Sequence, residues 1–197
     1  MPLRTEARAA PPEGDAESRR DFGEILAHAL AERAAGRGSL PALLGVDGPD
    51  LAALRDRWAP GLALPDLTEA APAPAPVPEQ QAVITLILWR AGRADATARA
   101  LARIIARRAL EPRHLWEDLG LSSRPALTAL IARHLPGLAA ANGQKMRWKK
   151  FLYRQVCLDD GLSLCLSPVC DDCPEWALCF APEEAATAAA ATTAAHP

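Results

Sequence analysis

The sequence is poor in the residues from which sheets are built. Aromatic side chains make up only 5% of its 197 residues, with a single Tyr and three Phe. The hydrophobic fraction is 50%, but 43 Ala residues supply nearly half of it, and each contributes only a methyl group. Sandwiches and barrels need a supply of Val, Ile and aromatic residues. The composition therefore excludes an all-β fold and predicts a modest helical core.

Long apolar runs are also missing. No stretch approaches the roughly 18 consecutive apolar residues that a membrane-spanning helix needs. Residues 1–20 are charged and contain Pro, and they lack the apolar run of a signal peptide. We therefore expect a cytoplasmic protein that does not bind a membrane. Thiols stay reduced in the cytosol, so the five cysteines are more typical of a metal site than of disulfides.

Charge is unevenly distributed, although the formal net charge is only −2. Residues 1–89 contain 8 basic and 13 acidic residues, residues 90–154 contain 14 and 4, and residues 155–197 contain 0 and 7. A basic block that runs directly into an acidic one indicates binding of nucleic acid, binding of an anionic ligand, or simply a solvated surface.

Proline, glycine and hydrophobic periodicity divide the chain into six segments. Residues 1–18 are predicted to be a disordered tail, and residues 19–68 an N-terminal helical region. The alternating Pro and Ala of residues 69–79 exclude a helix or a central strand and predict an extended spacer, where we place a domain boundary. Residues 80–157 are predicted to form a helical domain, residues 158–182 a metal-binding loop, and residues 183–197, mostly Ala and Thr, a second disordered tail.

The expected fold class is all-α: a small helical bundle with a C-terminal cysteine-rich, cluster-binding loop. Helix start and stop signals, together with apolar spacing, predict the individual helices. They are residues 19–35, residues 40–44, a helix after Pro49, a buried helix over 80–89, a helix capped by Asp95 or Thr97 and ended by Pro112, turns over 114–119, a helix from Ser123 to Pro136, and a last helix over 142–157.

Four of the five cysteines form the pattern Cys165-x4-Cys170-x2-Cys173-x5-Cys179. A Cys-x2-Cys pair lets two thiolates bind one metal ion or two adjacent irons. Structural zinc commonly uses two such pairs, whereas here one pair is flanked by single cysteines, and this favours an iron–sulfur cluster. The fifth, Cys157, is interpreted as a buried thiol, with a fifth metal ligand as the alternative.

Cationic side chains are concentrated just before the cysteines, at Lys145, Arg147, Lys149, Lys150 and Arg154. We interpret this helix as an anion-binding surface, because Lys and Arg readily bind oxyanions, with a solvated face as the alternative. The remaining helix face, with Trp148, Phe151 and Leu152, is predicted to be packed. His114 and His134 are candidate metal ligands, of which His114 is the better one, or else surface or capping residues.

Three blocks of the sequence resemble the NifQ family, the molybdenum-donor proteins of nitrogenase cofactor assembly. They are residues 114–121 (HLWEDLGL), residues 146–157 (MRWKKFLYRQVC), and the four-cysteine loop that ends at Cys179. The resemblance extends from about Ala82 to Pro182 and is faint over residues 22–67. The N-terminal tail and the spacer have no counterpart.

The resemblance implies a function that the residues alone do not specify. It implies that Cys165, Cys170, Cys173 and Cys179 hold an iron–sulfur cluster, on which molybdenum supplied as molybdate is captured. The implied partners are an iron–sulfur cluster donor, the nitrogenase cofactor-assembly scaffold and the nitrogenase iron protein. We therefore expect a molybdenum–iron–sulfur carrier for iron–molybdenum cofactor biosynthesis, without catalytic residues and not an enzyme.

Two other classes of protein are alternatives. Cys170, Cys173 and Cys179 also resemble the iron–sulfur loop of base-excision DNA glycosylases, and the basic block suits phosphate contacts. That family spaces its first two cysteines more widely and needs a helix–hairpin–helix motif with a catalytic Asp, so a nucleic-acid partner is not expected. The last class is a zinc-stabilised interaction module.

Overall fold

The protein is described here by a computed structural model that covers residues 13–65, 67 and 72–159. Within these residues the chain forms nine α-helices and no strand, which confirms the all-α prediction. The helices are α1 (Glu13–Ala34), α2 (Leu40–Leu44), α3 (Gly48–Trp58), α4 (Pro78–Arg90), α5 (Ala96–Ala109), α6 (Leu115–Asp118), α7 (Arg124–His134), α8 (Pro136–Ala141) and α9 (Trp148–Asp159). Across the described ranges, no helix has the length and apolarity needed to cross a bilayer.

Capping side chains start two of the central helices where the sequence predicts them. Asp95 accepts a hydrogen bond from the backbone N–H of Ala98 at the start of α5, over 2.9 Å. Ser123 accepts one from Ala126 at the start of α7, over 3.3 Å. Both bonds satisfy first-turn amides that have no partner within the helix.

One hydrophobic core includes helices on both sides of the predicted spacer. α1 packs against α2, α3 and α7, while α5 lies at the centre and contacts α2, α3, α4, α6 and α7. The predicted boundary at residues 69–79 therefore does not divide the core. The physical reason is the small number of large apolar side chains, because an Ala-rich chain has too few of them to form two separate cores.

The described part of the spacer is also shorter than predicted and lies against the fold. The backbone N–H of Ala73 donates to the Asp47 carboxylate over 2.8 Å, and α4 already begins at Pro78. Most of the α4 apolar residues are buried as expected, but Trp89 is 73% exposed. The prediction of a wholly buried helix is therefore wrong at the C-terminal end of α4.

α1 begins at Glu13, six residues before the predicted start. The predicted disordered tail is thus wrong for residues 13–18, while residues 1–12 lie outside the described chain. The early start has a tertiary cause. Ser18 hydrogen-bonds to His134 over 2.9 Å, and the buried Asp21 pairs with Arg133, so the first turns of α1 are held against α7.

The predicted last helix is wrong at its start, because α9 begins at Trp148 rather than at residue 142. The Asn142 side chain donates to the Met146 carbonyl and accepts from the Met146 N–H, both over 2.9 Å. Such side-chain bonds offer the backbone an alternative to helix. Lys145, inside this turn, has a φ of +53°. The short helix α8 precedes the turn, at a place where the sequence predicts only the end of α7.

Gly120 follows α6 with a φ of +74° and lies against His28 of α1. A Cβ added to Gly120 would be 2.2 Å from the Cβ of His28. We expect Gly120→Ala to lower the free energy of unfolding by about 2 kcal/mol, because it adds backbone strain and a steric clash. Gly23→Ala in α1 is the control, since nothing lies within 4 Å of that position. Urea unfolding that finds both variants equally stable would contradict the prediction.

Candidate functional site

The cysteines of the predicted loop, Cys165, Cys170, Cys173 and Cys179, lie outside the described residues, and so does the side chain of Cys157. The described helix α9 ends at Asp159, six residues before Cys165. In the ranges that the structure describes, no group of three or more His, Cys, Asp or Glu side chains is placed to hold a metal ion. The cysteine ligands therefore stay predictions, and the structure describes the helix that leads to them.

One side of α9 is anchored in the core by apolar packing. Trp148, Phe151, Leu152 and Val156 are all buried, which confirms the predicted packed face. The Trp148 ring meets Phe151 edge-on with 5.7 Å between centroids, and its indole N–H donates to the Thr128 hydroxyl over 3.1 Å. The chain therefore approaches the cysteines from a helix that is fixed to the bundle.

A second side of α9, which we call the polar seam, consists of Lys149 and Tyr153. The Lys149 ammonium donates to the carbonyl of Glu111 and to the Asp118 carboxylate, the latter over 2.6 Å. One turn later, the Tyr153 hydroxyl donates to the Ala109 carbonyl over 3.3 Å. Both carbonyls lie at or just beyond the end of α5, where a helix leaves its last carbonyls without internal partners.

Asp118 gives the polar seam its charged partner. Its side chain is 4% exposed and also lies 3.4 Å from Nε of Arg113. A buried carboxylate needs such partners, because burial without them costs several kcal/mol or shifts its protonation. The ammonium of Lys149 is therefore bound by groups of the protein itself. We no longer include Lys149 among the predicted anion-binding residues.

The other predicted cations occupy different positions around α9. Lys145 and Arg147 precede the helix instead of lying within it, while Lys150 and Arg154 belong to it. Arg147, Lys150 and Arg154, at i, i+3 and i+7, share the side away from the packed face, and we call them the cationic row. Within the described ranges, the side chains of Lys145, Arg147 and Lys150 form no ion pair or hydrogen bond. The first turn of α9 contains no acidic residue.

His114 is the residue that begins α6. Its backbone N–H donates to the Glu117 carboxylate over 3.0 Å, so the residue begins a capping box. The predicted capping role is thus present, and the imidazole is exposed. A ligand role for His114 stays a prediction.

A cleft of about 510 Å³, which no sequence pattern predicts, lies where the ends of four helices meet. Asp15 and Asp95 lie at the N-terminal ends of α1 and α5, and Arg57 and Arg133 lie at the C-terminal ends of α3 and α7. Each charge thus has the sign that stabilises its own helix end. Arg93, in the segment between α4 and α5, also lines the cleft and pairs with Asp95 over 3.0 Å. These charges pair with one another or complement helix dipoles, and they indicate no particular ligand.

His134 closes this cleft from inside, as a core residue rather than a metal ligand. Its ring meets the rings of Phe22 and Trp58 edge-on, with centroid distances of 5.3 and 5.2 Å, and those two rings stack on each other at 5.5 Å. Burial, followed by the nearby charge of Arg133, lowers the pKa of His134 to about 4. The imidazole is therefore neutral at pH 7 and hydrogen-bonds to Ser18.

Acid is expected to destabilise the protein through His134. The unfolded chain takes up a proton at the ordinary pKa of 6.5, but the folded chain does so only near 4, so stability falls as the pH drops between these values. From about pH 7 to about pH 4.5 this contributes a loss of roughly 2 kcal/mol. His134→Gln keeps a hydrogen-bonding group for Ser18 and removes the loss. Urea unfolding at both pH values should show a smaller decrease in the variant, and equal decreases would contradict the assignment.

Comparison with known proteins gives consistent matches. The sequence profile of the NifQ family matches residues 24–181. Protein NifQ of Rhodobacter capsulatus is 65% identical over 162 residues, which cover 82% of this chain and 89% of that protein. The Protein NifQ homolog of Sinorhizobium fredii is 39% identical over 169 residues, 85% of this chain and 73% of the homolog. Protein NifQ of Klebsiella pneumoniae is 40% identical over 153 residues, 74% and 90% of the two chains. No solved structure matches the chain.

Proposed function

The chain belongs to the NifQ family, which is involved in nitrogen fixation, and on this premise we propose that it is a molybdenum–iron–sulfur carrier. It captures molybdenum on a cysteine-bound iron–sulfur cluster and donates it to nitrogenase iron–molybdenum cofactor biosynthesis. The observation that carries the proposal is the Cys165-x4-Cys170-x2-Cys173-x5-Cys179 spacing, which lies inside the family match.

The four cysteine thiolates are suitable ligands for an iron–sulfur cluster that binds molybdenum. Four thiolates are soft ligands of the kind that hold iron–sulfur clusters, and sulfide-rich clusters in turn suit capture of molybdenum. Cys157 and His114 are candidate additional ligands. Because the molybdenum is handed to a recipient, we propose a carrier without catalytic turnover.

The cationic row attracts molybdate, the dianion that is the source of the molybdenum. Lys150 and Arg154 lie on α9 and Arg147 immediately precedes it, within a block of 14 basic and 4 acidic residues that comes before the cysteines in the sequence. Cations near the surface raise the local concentration of an anion, and salt weakens this effect. Lys145, in the turn before α9, adds to the same field.

The proposed partners follow from the cargo. An iron–sulfur cluster donor supplies the cluster, and the cofactor-assembly scaffold and the nitrogenase iron protein receive the molybdenum. The proposed site of action is the cytoplasm. Nucleic acid and membranes have no part in this scheme.

Anaerobic reconstitution tests the proposed function. The full chain is incubated with iron, sulfide and molybdate, desalted, and analysed for metals and visible absorbance. We expect iron and molybdenum together with the absorbance of an iron–sulfur chromophore. Iron without molybdenum would contradict the carrier function, and zinc alone without visible absorbance would indicate the zinc-stabilised module instead.

A further inference from the structure

Two of the sequence blocks that carry the family resemblance meet at one buried contact. Asp118 belongs to residues 114–121 and Lys149 to residues 146–157, and their side chains are 2.6 Å apart. The same ammonium donates to the carbonyl of Glu111. The polar seam therefore joins the start of α9 to the segment that follows α5 and to the C-terminal end of α6.

This contact is not needed merely to hold α9 on the bundle. The packed face already buries four apolar side chains against the core. A buried ion pair adds little net stability compared with apolar groups of the same shape, and its best-attested effect is to select one arrangement among several. Apolar packing tolerates small rotations, whereas charge-assisted hydrogen bonds are directional.

We propose that Lys149 is a positioning residue for molybdenum capture, acting through Asp118 and the Glu111 carbonyl. The contact sets the rotation of α9 about its axis. It thereby sets the direction in which the cationic row faces. It also sets the position of Asp159, where α9 ends and the chain continues toward the cysteines. The inference rests on the proposed function, since capture is the activity that the positioning serves.

Lys149 and Lys150 make a matched pair for testing this role. They are adjacent lysines on one helix, but only Lys149 is paired in the described structure. An attracting cation acts at a distance, so its loss matters at low salt and fades at high salt. A positioning residue acts through geometry, so its loss persists at high salt.

The experiment compares four full-length proteins: wild type, Lys149→Met, the double variant Asp118→Asn/Lys149→Met, and Lys150→Met. Each is loaded with iron and sulfide, titrated with molybdate at low and high salt, and assayed for metals and thermal stability. Lys149→Met is expected to lower stability because Asp118 stays buried with only Arg113 nearby. The double variant removes the unpaired charge and regains most of that stability.

We expect that the variants with the lowest molybdenum uptake are not simply those with the lowest stability. The single and the double Lys149 variants should bind iron normally but take up at least about threefold less molybdenum, at either salt concentration. Lys150→Met should keep wild-type stability and lose uptake only at low salt. Amide hydrogen exchange over residues 148–159 of the metal-free chain should be faster in the double variant than in Lys150→Met.

Several results would overturn the inference. If the double variant regains wild-type molybdenum uptake along with stability, Lys149 has only a structural role. If its deficit disappears at high salt, Lys149 is an attracting cation. Unchanged hydrogen exchange over α9 also excludes positioning. Wild-type protein that takes up iron but no molybdenum would instead refute the proposed function, and with it the role in capture.

Discussion

Cys173→Ser is expected to abolish binding of both iron and molybdenum. Cys173 is one half of the Cys-x2-Cys pair, and a serine hydroxyl is a poor ligand for iron at neutral pH. Helix content should stay near that of the wild type, because the described core is complete by Val156. Metal analysis, visible absorbance and far-ultraviolet circular dichroism of the reconstituted variant measure these quantities.

Cys157→Ser is the matched control for this experiment. We interpret Cys157 as a packed thiol, so the variant should keep the iron–sulfur absorbance and the molybdenum. Loss of the cluster in Cys157→Ser would make it a fifth ligand. Retention of a full cluster in Cys173→Ser would remove the basis of the proposed function, because the ligand set would then be wrong.

Glu32→Gln is expected to lower the free energy of unfolding by about 3 kcal/mol, since it breaks a buried ion pair on one side. Glu32 is 6% exposed in α1, and its Oε2 lies 2.5 Å from Nη2 of Arg108 in α5, which is 1% exposed. Arg37 also pairs with this carboxylate, and Nε2 of His28 lies 3.4 Å from it. A neutral amide leaves the buried guanidinium of Arg108 without its counter-charge. Urea unfolding at neutral pH measures the loss.

The pH dependence of this loss has a definite sign. Burial raises the pKa of Glu32, but contacts with Arg108 and the charges of His28 and Arg37 outweigh burial, so its pKa lies below the ordinary 4.5. The stabilisation is therefore complete above pH 4.5 and is lost as the pH falls through the lowered pKa. The difference between the variant and the wild type should shrink in acid.

Glu17→Gln controls for the loss of one carboxylate from α1. The Glu17 side chain is half exposed and pairs with Arg133 over 2.7 Å, so its removal should change stability by less than about 1 kcal/mol. If Glu17→Gln and Glu32→Gln lower the free energy of unfolding equally, the burial of the ion pair between Glu32 and Arg108 does not increase its contribution to stability.

Local signals explain most of the correct fold predictions. A cap such as Asp95 or Ser123 acts on an amide three residues away, and apolar periodicity extends over only a few turns. Helix caps and apolar periodicity can both be recognised in the sequence without knowledge of the rest of the fold. The helices α2, α3, α5 and α7 were therefore predicted closely, and the composition was enough to exclude sheets.

Long-range contacts explain the misses. The start of α1 depends on His134 and Arg133, more than a hundred residues away in the chain. The start of α9 depends on a buried Asn142, whose side-chain bonds stop the helix from beginning there. The cleft between helix ends combines residues from four helices. None of these contacts leaves a periodic pattern in the sequence.

The helical class and the family of this protein can be read from the amino-acid sequence alone. Composition belongs to the chain as a whole, and ligand spacing and local caps depend on residues that are near one another in sequence, so none of them requires the fold. The folded chain adds that one core includes both sides of the spacer, and that Lys149 is engaged inside the protein while Lys150 is not. Two adjacent lysines look alike in a sequence. Their difference arises from a partner, Asp118, that the fold brings from 31 residues away.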